Sequence, residues 1–150
     1  MARVAQLAPV DTADLSRLYT VEEAAGLFGV SRGWIYAGIR DGEIRHTDLA
    51  RNSDPGSRRR KLRLWHRELL RVIRERTDGA PDTDDEESPQ LYTVEQAAAQ
   101  LGVSPGWVRL RIDAGEIHPT DLSRGDEGRP KHRIWRAELL RFIAANTATP

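Results

Sequence analysis

"LYTVEEAAGLFGVSRGWIYAGIRDGEIRHTDL" (Leu18–Leu49) returns 73 residues later as "LYTVEQAAAQLGVSPGWVRLRIDAGEIHPTDL" (Leu91–Leu122), with 19 of 32 positions identical. A second pair of blocks, "RRRKLRLWHRELLRVI" ending at Ile73 and "GRPKHRIWRAELLRFI" ending at Ile143, follows at an offset of 70. A repeat of roughly 60 residues is too long for a solenoid unit and suits two small domains in tandem. The chain is thus its own two-member alignment. Positions kept in both copies serve the fold, and positions that differ are where the modules can do different work. The boundaries read as a first domain over 16–76, an acidic flexible linker over 77–90 and a second domain over 91–147.

Each copy opens on a helix-start signal. Thr20 with Glu23, and Thr93 with Gln96, read as capping boxes. The helix runs through Ala24, Ala25 and Phe28, or Ala97, Ala98 and Leu101, and stops at Gly29 or Gly102. Ser31 and Ser104 are N-cap residues for a second helix, with Pro105 at its first position. That helix runs to Ile39 or Ile112 and ends at Gly42 or Gly115. Two short helices joined by a Gly-Val turn make a helix-turn-helix. "EIRHTDL" reads as a strand, Asp54-Pro55-Gly56 as a turn, and "KLRLW" as a half-exposed strand, so that the pair forms a hairpin wing. A last helix, 68–76 or 138–146, puts Leu69, Leu70 and Ile73, or Leu139, Leu140 and Ile143, on one face. The expected fold class is mainly α with small β-hairpin wings, in two tandem winged helix-turn-helix domains.

The formal net charge of zero conceals a division. Residues 16–76 carry 14 basic against 8 acidic side chains, net +6; residues 77–90 carry six acids and no base; the remainder carries 8 against 7, net +1. All but two of the basic residues, Lys61 and Lys131, are arginine. The planar guanidinium suits bidentate recognition of phosphates and bases, although a GC-rich coding sequence produces the same bias. The absence of Cys excludes disulfides and thiolate-bound zinc. No apolar run is long enough to span a bilayer, and the N-terminus lacks the pattern of a signal peptide, so a cytoplasmic, nucleoid-associated protein is expected. The four His show no metal spacing, and no nucleophile–base pair or phosphate loop is present, so neither an enzyme nor a bound cofactor is expected.

The capped "TVEEAA", the "GVS" turn, the "I…DGEI" exit and the tryptophan that ends the wing occur in this order in both copies. Together they resemble the excisionase-type, MerR-like DNA-binding domain over roughly 120 residues. The resemblance implies that the helix after Ser31 enters the major groove and that the wing meets backbone or minor groove. MerR-like regulators continue into a long dimerisation helix and an effector site; this chain continues instead into an acidic linker and a second copy, which favours the excisionase-like relatives.

On the second helix Ile35 and Ile39, four apart, face the core, while Arg32, Tyr36 and Arg40 share another face. Arg32 is placed to reach a base edge or phosphate, and Tyr36 to donate to a phosphate. Arg58, Arg59, Arg60, Lys61 and Arg63 sit on the wing, where positive charge attracts phosphates. Ser31 completes this candidate set, and Trp34 stands open between core packing and the DNA backbone. In the second copy the candidates are Ser104, Arg109, Arg111, Arg129, Lys131 and Arg133. Trp65 and Trp135 read as core.

These residues point to a sequence-specific double-stranded DNA-binding protein, either a transcriptional regulator or an excisionase-like architectural factor, with a recombinase or RNA polymerase as further partners. Fourteen flexible residues would span about 21 Å on average and at most about 50 Å, so half-sites one helical turn apart, about 34 Å, are within reach. The expected species is a monomer acting as a covalent pseudo-dimer, or a weak homo-oligomer on DNA. The acidic linker is expected to shield basic surface of the first copy. The alternative is an adaptor whose second domain binds a protein (an integrase, a toxin or another copy of itself), with Leu110 exposed for it.

Overall fold

The computed structural model describes residues 17–50, 61–124 and 131–148. Both copies have the same order of elements. The first comprises β1 (Leu18–Tyr19), α1 (Val21–Phe28), α2 (Arg32–Arg40), β2 (Thr47–Asp48), β3 (Leu62–Trp65) and α3 (His66–Glu75). The second comprises β4 (Leu91–Tyr92), α4 (Val94–Leu101), α5 (Pro105–Asp113), β5 (Thr120–Asp121), β6 (His132–Trp135) and α6 (Arg136–Ala145). The class is mainly α with small β wings. Each set of strands forms a three-stranded antiparallel sheet, ordered β1-β3-β2 and β4-β6-β5.

The first turn of each copy is held by the cap expected from its sequence. Thr20 Oγ1 accepts from Glu23 N at 3.0 Å while the Glu23 carboxylate accepts from Thr20 N at 2.9 Å; Thr93 and Gln96 repeat the pair at 3.1 and 2.9 Å. The Thr20 backbone N–H, and then its hydroxyl, hold the Glu23 carboxyl below the usual carboxylate range. Gly29 closes α1 with φ of 66°, a left-handed conformation that a side chain disfavours. Ser31 and Ser104 cap α2 and α5, accepting from Trp34 N at 3.2 Å and Trp107 N at 3.1 Å.

The structure differs from the sequence reading after α2. The helix stops at Arg40, and "EIRHTDL" contributes only Thr47–Asp48 as strand. Glu43 N and Ile44 N instead bond back to Gly38 O at 2.9 and 3.0 Å, which ties the chain to the helix end and takes these amides out of any ladder. The two-residue strands β1 and β4 were not foreseen. Their alternation is too short to show in sequence, and they are created by pairing with β3 and β6. The last helix begins at His66 and Arg136, two residues earlier than expected.

A buried carboxylate locks that helix to the turn. Glu68 Oε2 accepts from Arg45 N at 2.8 Å, and Arg71 Nε donates to Glu68 Oε1 at 2.9 Å while its other arm reaches Glu43 O at 2.6 Å. Glu138, His118 N, Arg141 and Glu116 O repeat the arrangement. Bonding to Glu68 pushes the Arg71 pKa up, so this arginine stays charged. A buried carboxylate deprived of its cation is costly.

The two copies pack against each other. One joint core takes in Phe28, Ile35 and Leu70 of the first copy with Leu91, Leu122, Trp135 and Ala137 of the second. Thr77 bridges to Thr120 as an isolated β-bridge, and Asp121 N donates to Arg76 O at 2.9 Å. Residues 77–90, read from sequence as a flexible spacer, are bonded along their length to both copies. Arg74 donates to Thr83 Oγ1 at 2.9 Å, Trp135 Nε1 to Ser88 O at 2.7 Å and Arg136 N to Gln90 O at 3.0 Å. Composition disclosed that this stretch has no core of its own; it could not disclose that the folded copies supply partners for its backbone.

Arg71→Met should lower stability by about 3 kcal/mol in urea unfolding, because it strands the Glu68 charge. Leu122→Ala should cost about 2–5 kcal/mol and split the single unfolding transition of the intact chain into two. The Glu23 cap should contribute fully above the ordinary carboxylate pKa and be lost as pH falls through its lowered value, and Thr20→Ala should remove that part of the acid sensitivity along with about 1 kcal/mol.

Candidate nucleic-acid interface

Helix α2 has two faces. Ile35 and Trp34 are buried, and Gly38 lies beneath the second copy. Arg32, Tyr36 and Arg40, each four residues after the last, form an exposed stripe on the opposite side. Arg32 makes a surface pair with Glu22 at 3.1 Å, and Arg40 approaches Asp41 at 3.6 Å. Pairs this exposed are weak, so both guanidinium groups can exchange their carboxylates for phosphates or base edges. Ser31 works as the cap that sets the helix start.

The wing base is closed by Leu49 N donating to Lys61 O at 2.9 Å and Lys61 N to Asp48 Oδ1 at 3.2 Å. Lys61 is exposed and Arg63 half-buried, with the Arg63 guanidinium donating to Leu62 O at 2.9 Å. Arg58, Arg59 and Arg60, together with Arg129 and the Asp54-Pro55-Gly56 turn, lie outside the described residues.

For Trp34 the structure takes the packing side of the open choice, and Arg133 and Arg111 sit elsewhere than the sequence reading placed them. Trp34 faces the second copy: its Nε1 donates to Leu122 O at 2.9 Å, Phe28 meets its ring edge-on at 6.1 Å, and the Arg124 guanidinium carbon lies 3.7 Å from the ring centroid. Arg133 is drawn into the same contact. It donates to Phe28 O at 3.2 Å and Gly29 O at 2.6 Å, and burial pushes its pKa down. Arg111 turns onto its own domain, 5.0 Å over the Trp107 ring and 3.0 Å from Glu116. It occupies the position of Gly38, on the face that docks in the first copy. Docking, a long-range event, leaves no mark on local spacing, so sequence could not separate these arginines from readers.

Across α5 the stripe equivalent to Arg32, Tyr36 and Arg40 reads Pro105, Arg109 and Asp113. Arg109 is exposed, 3.7 Å from Glu95, and Asp113 places a negative charge where the first copy has Arg40. Ser104 is again a cap, and Lys131 is half-buried. The linker acids do meet first-copy arginines. Asp85 lies 3.6 Å from Arg67 and 3.7 Å from Arg74, and Glu86 pairs with Arg17. None of these belongs to the exposed stripe, which stays unshielded by them.

Comparison with known families adds the decisive observation: the model described as "Helix-turn-helix domain", of excisionase type, matches residues 18–77 and again 91–147. The chain belongs to this helix-turn-helix family. No curated protein and no solved structure matches it. Family membership supports DNA binding and is met by the geometry of the first copy, where the second helix of the motif has a buried face and an exposed cationic one. Among the described residues no helix is long and apolar enough to cross a membrane, and no group of three or more acidic or histidine side chains is placed to hold a metal.

Trp34→Phe, which removes the indole donor and leaves the Leu122 carbonyl unpaired, should cost about 1–3 kcal/mol of stability while leaving DNA affinity unchanged in a gel-shift titration.

Proposed function

We propose that the chain is a sequence-specific double-stranded DNA-binding protein with no catalytic step, a regulator or excisionase-like architectural factor acting in the nucleoid. The carrying observation is the exposed Arg32–Tyr36–Arg40 stripe on the helix-turn-helix, set against a counterpart on the second copy, Pro105, Arg109 and Asp113, that carries no net charge. The first copy supplies the stronger contact. Arg32 and Arg40 read bases or phosphates, Tyr36 donates to a phosphate, and Lys61 and Arg63 on the wing hold the backbone. The second copy, through Arg109 and Lys131, supplies a weaker one. Docking of the two copies, rather than linker length, then sets the spacing of the two contacts.

A second reading draws on Leu110, which is exposed on α5 where a DNA reader would have a polar residue. In it the second copy engages a protein such as a recombinase, while the first holds DNA. Leu110→Asp separates the two readings: under the first it slightly weakens DNA binding through added negative charge, and under the second it abolishes partner capture alone.

Selection of bound sequences from a random DNA pool, followed by salt titration, tests the main reading. Arg32→Ala and Arg40→Ala should each cost about 1–3 kcal/mol of affinity and reduce the salt slope, and Arg109→Ala should cost less. Binding insensitive to salt, or a larger loss at Arg109, would contradict it.

A further inference from the structure

The contact between the copies is heterologous: the first copy receives and the second gives. Trp34, Gly38 and Glu43 form the receiving slot, into which Leu122 and Arg124 are seated; Arg124 Nε bonds Glu43 at 3.2 Å and its guanidinium donates to Trp34 O. Because each copy has the same fold, each also carries the half it does not use. On the first copy the unused giving half is exposed: Leu49 is 53% accessible where its counterpart Leu122 is 0%. On the second copy the counterparts of the receiving residues face solvent. Trp107 is 36% accessible against 8% for Trp34, and Leu140 and Ile143 are 46% and 42% accessible against 0% for Leu70 and Ile73. Parts of the receiving geometry persist there. Thr147 Oγ1 donates to Ile143 O at 2.6 Å as Thr77 Oγ1 does to Ile73 O at 2.6 Å, and Glu116 occupies the place of Glu43. A heterologous contact whose two unused halves could both engage would propagate from chain to chain, as a ring or a filament.

Where the unused halves depart from the used ones, Asn146 replaces Arg76, which donates to Asp121 O and Ser123 O in the docked contact, and two further positions place an arginine where docking has a small residue. Docking leaves no room for a side chain at Gly38: a Cβ there would meet the guanidinium of the docked Arg124, as well as Ile44 Cδ1 of its own copy at 2.6 Å. The counterpart is Arg111, which covers its own Trp107 and pairs with its own Glu116, so that the second slot is filled from within. On the giving side docking buries the small Ala137 in the joint core. Its counterpart is Arg67, a long cation paired with Asp85 at 3.6 Å, and entry into an apolar core would strip it of solvent.

We propose that Arg111 and Arg67 are stops: they close the head-to-tail contact at two units within one chain, and the partner they exclude is a second copy of this chain. Intramolecular docking is further favoured by the high effective concentration that the linker imposes.

Light scattering on the full chain during size exclusion, from micromolar to submillimolar concentration, tests this. Wild type should keep the mass of one chain throughout. Arg67→Ala combined with Arg111→Gly should give a mass that rises with concentration to at least twice that of one chain. Adding Leu49→Asp should return it to one, since Leu49 takes no part in the intramolecular contact. Growth of the wild type, a folded double variant that stays single, or assembly that survives Leu49→Asp would each overturn the proposal. Gly38→Arg tests the same slot without altering the second copy. It should expel Leu122 and expose Trp34 to acrylamide quenching, and a folded Gly38→Arg chain with Trp34 still protected would equally overturn it.

Discussion

The indole N–H of Trp34, donated to the Leu122 carbonyl at 2.9 Å, crosses from one copy to the other in a site sealed from water. A buried donor without an acceptor costs far more than the bond itself returns, so this contact is an obligation: whenever Trp34 is covered, a carbonyl must be there. The neighbouring groups follow from it. The guanidinium of Arg124 lies over the ring and Arg76 approaches it at 5.3 Å, and Glu43, 2.6 Å from Arg76 and 3.2 Å from Arg124, offsets their charge. Two like charges over one ring would repel without that carboxylate. The exposed stripe follows from the same geometry, because docking covers one side of α2 and leaves Arg32, Tyr36 and Arg40 on the other.

Duplication gave the chain two copies of one fold, and the contact between them made the copies unequal. The receiving copy kept Gly38 and its cationic stripe. The giving copy has Arg111 at the position of Gly38 and Asp113 at the position of Arg40. Covering the helix-turn-helix face that holds Trp34 leaves the cationic stripe uncovered, since the tryptophan and the stripe lie on opposite sides of one helix. The second copy braces the first by covering the Trp34 side of α2.

What was legible in the sequence was local. The capping boxes, the serine N-caps, the left-handed glycines and the apolar periodicity of the last helix each depend on residues within a turn of one another, and they stand where the repeats put them. The strand pairs of β1 and β4, the Glu68–Arg71 and Glu138–Arg141 locks and the docking of the copies depend on partners tens of residues away. One signal for the locks was present: "ELLR" recurs unchanged at 68–71 and 138–141, and an invariant acid on a helix of apolar residues marks a paired, buried charge. Arg111 and Arg133 were read as cations facing DNA because spacing alone does not say which side of a domain is covered. The exposed stripe, in contrast, followed from the three- and four-residue spacing around Ile35 and Ile39.

Hydrogen exchange of the tryptophan indole N–H groups, followed by nuclear magnetic resonance on the intact chain, tests the central claim most directly. Docking predicts that the Trp34 indole proton exchanges only on global or subglobal unfolding, orders of magnitude more slowly than that of Trp107, its uncovered counterpart. Equal and fast exchange at the two positions would show that the copies tumble as separate beads, and would contradict the account of how this chain is held together.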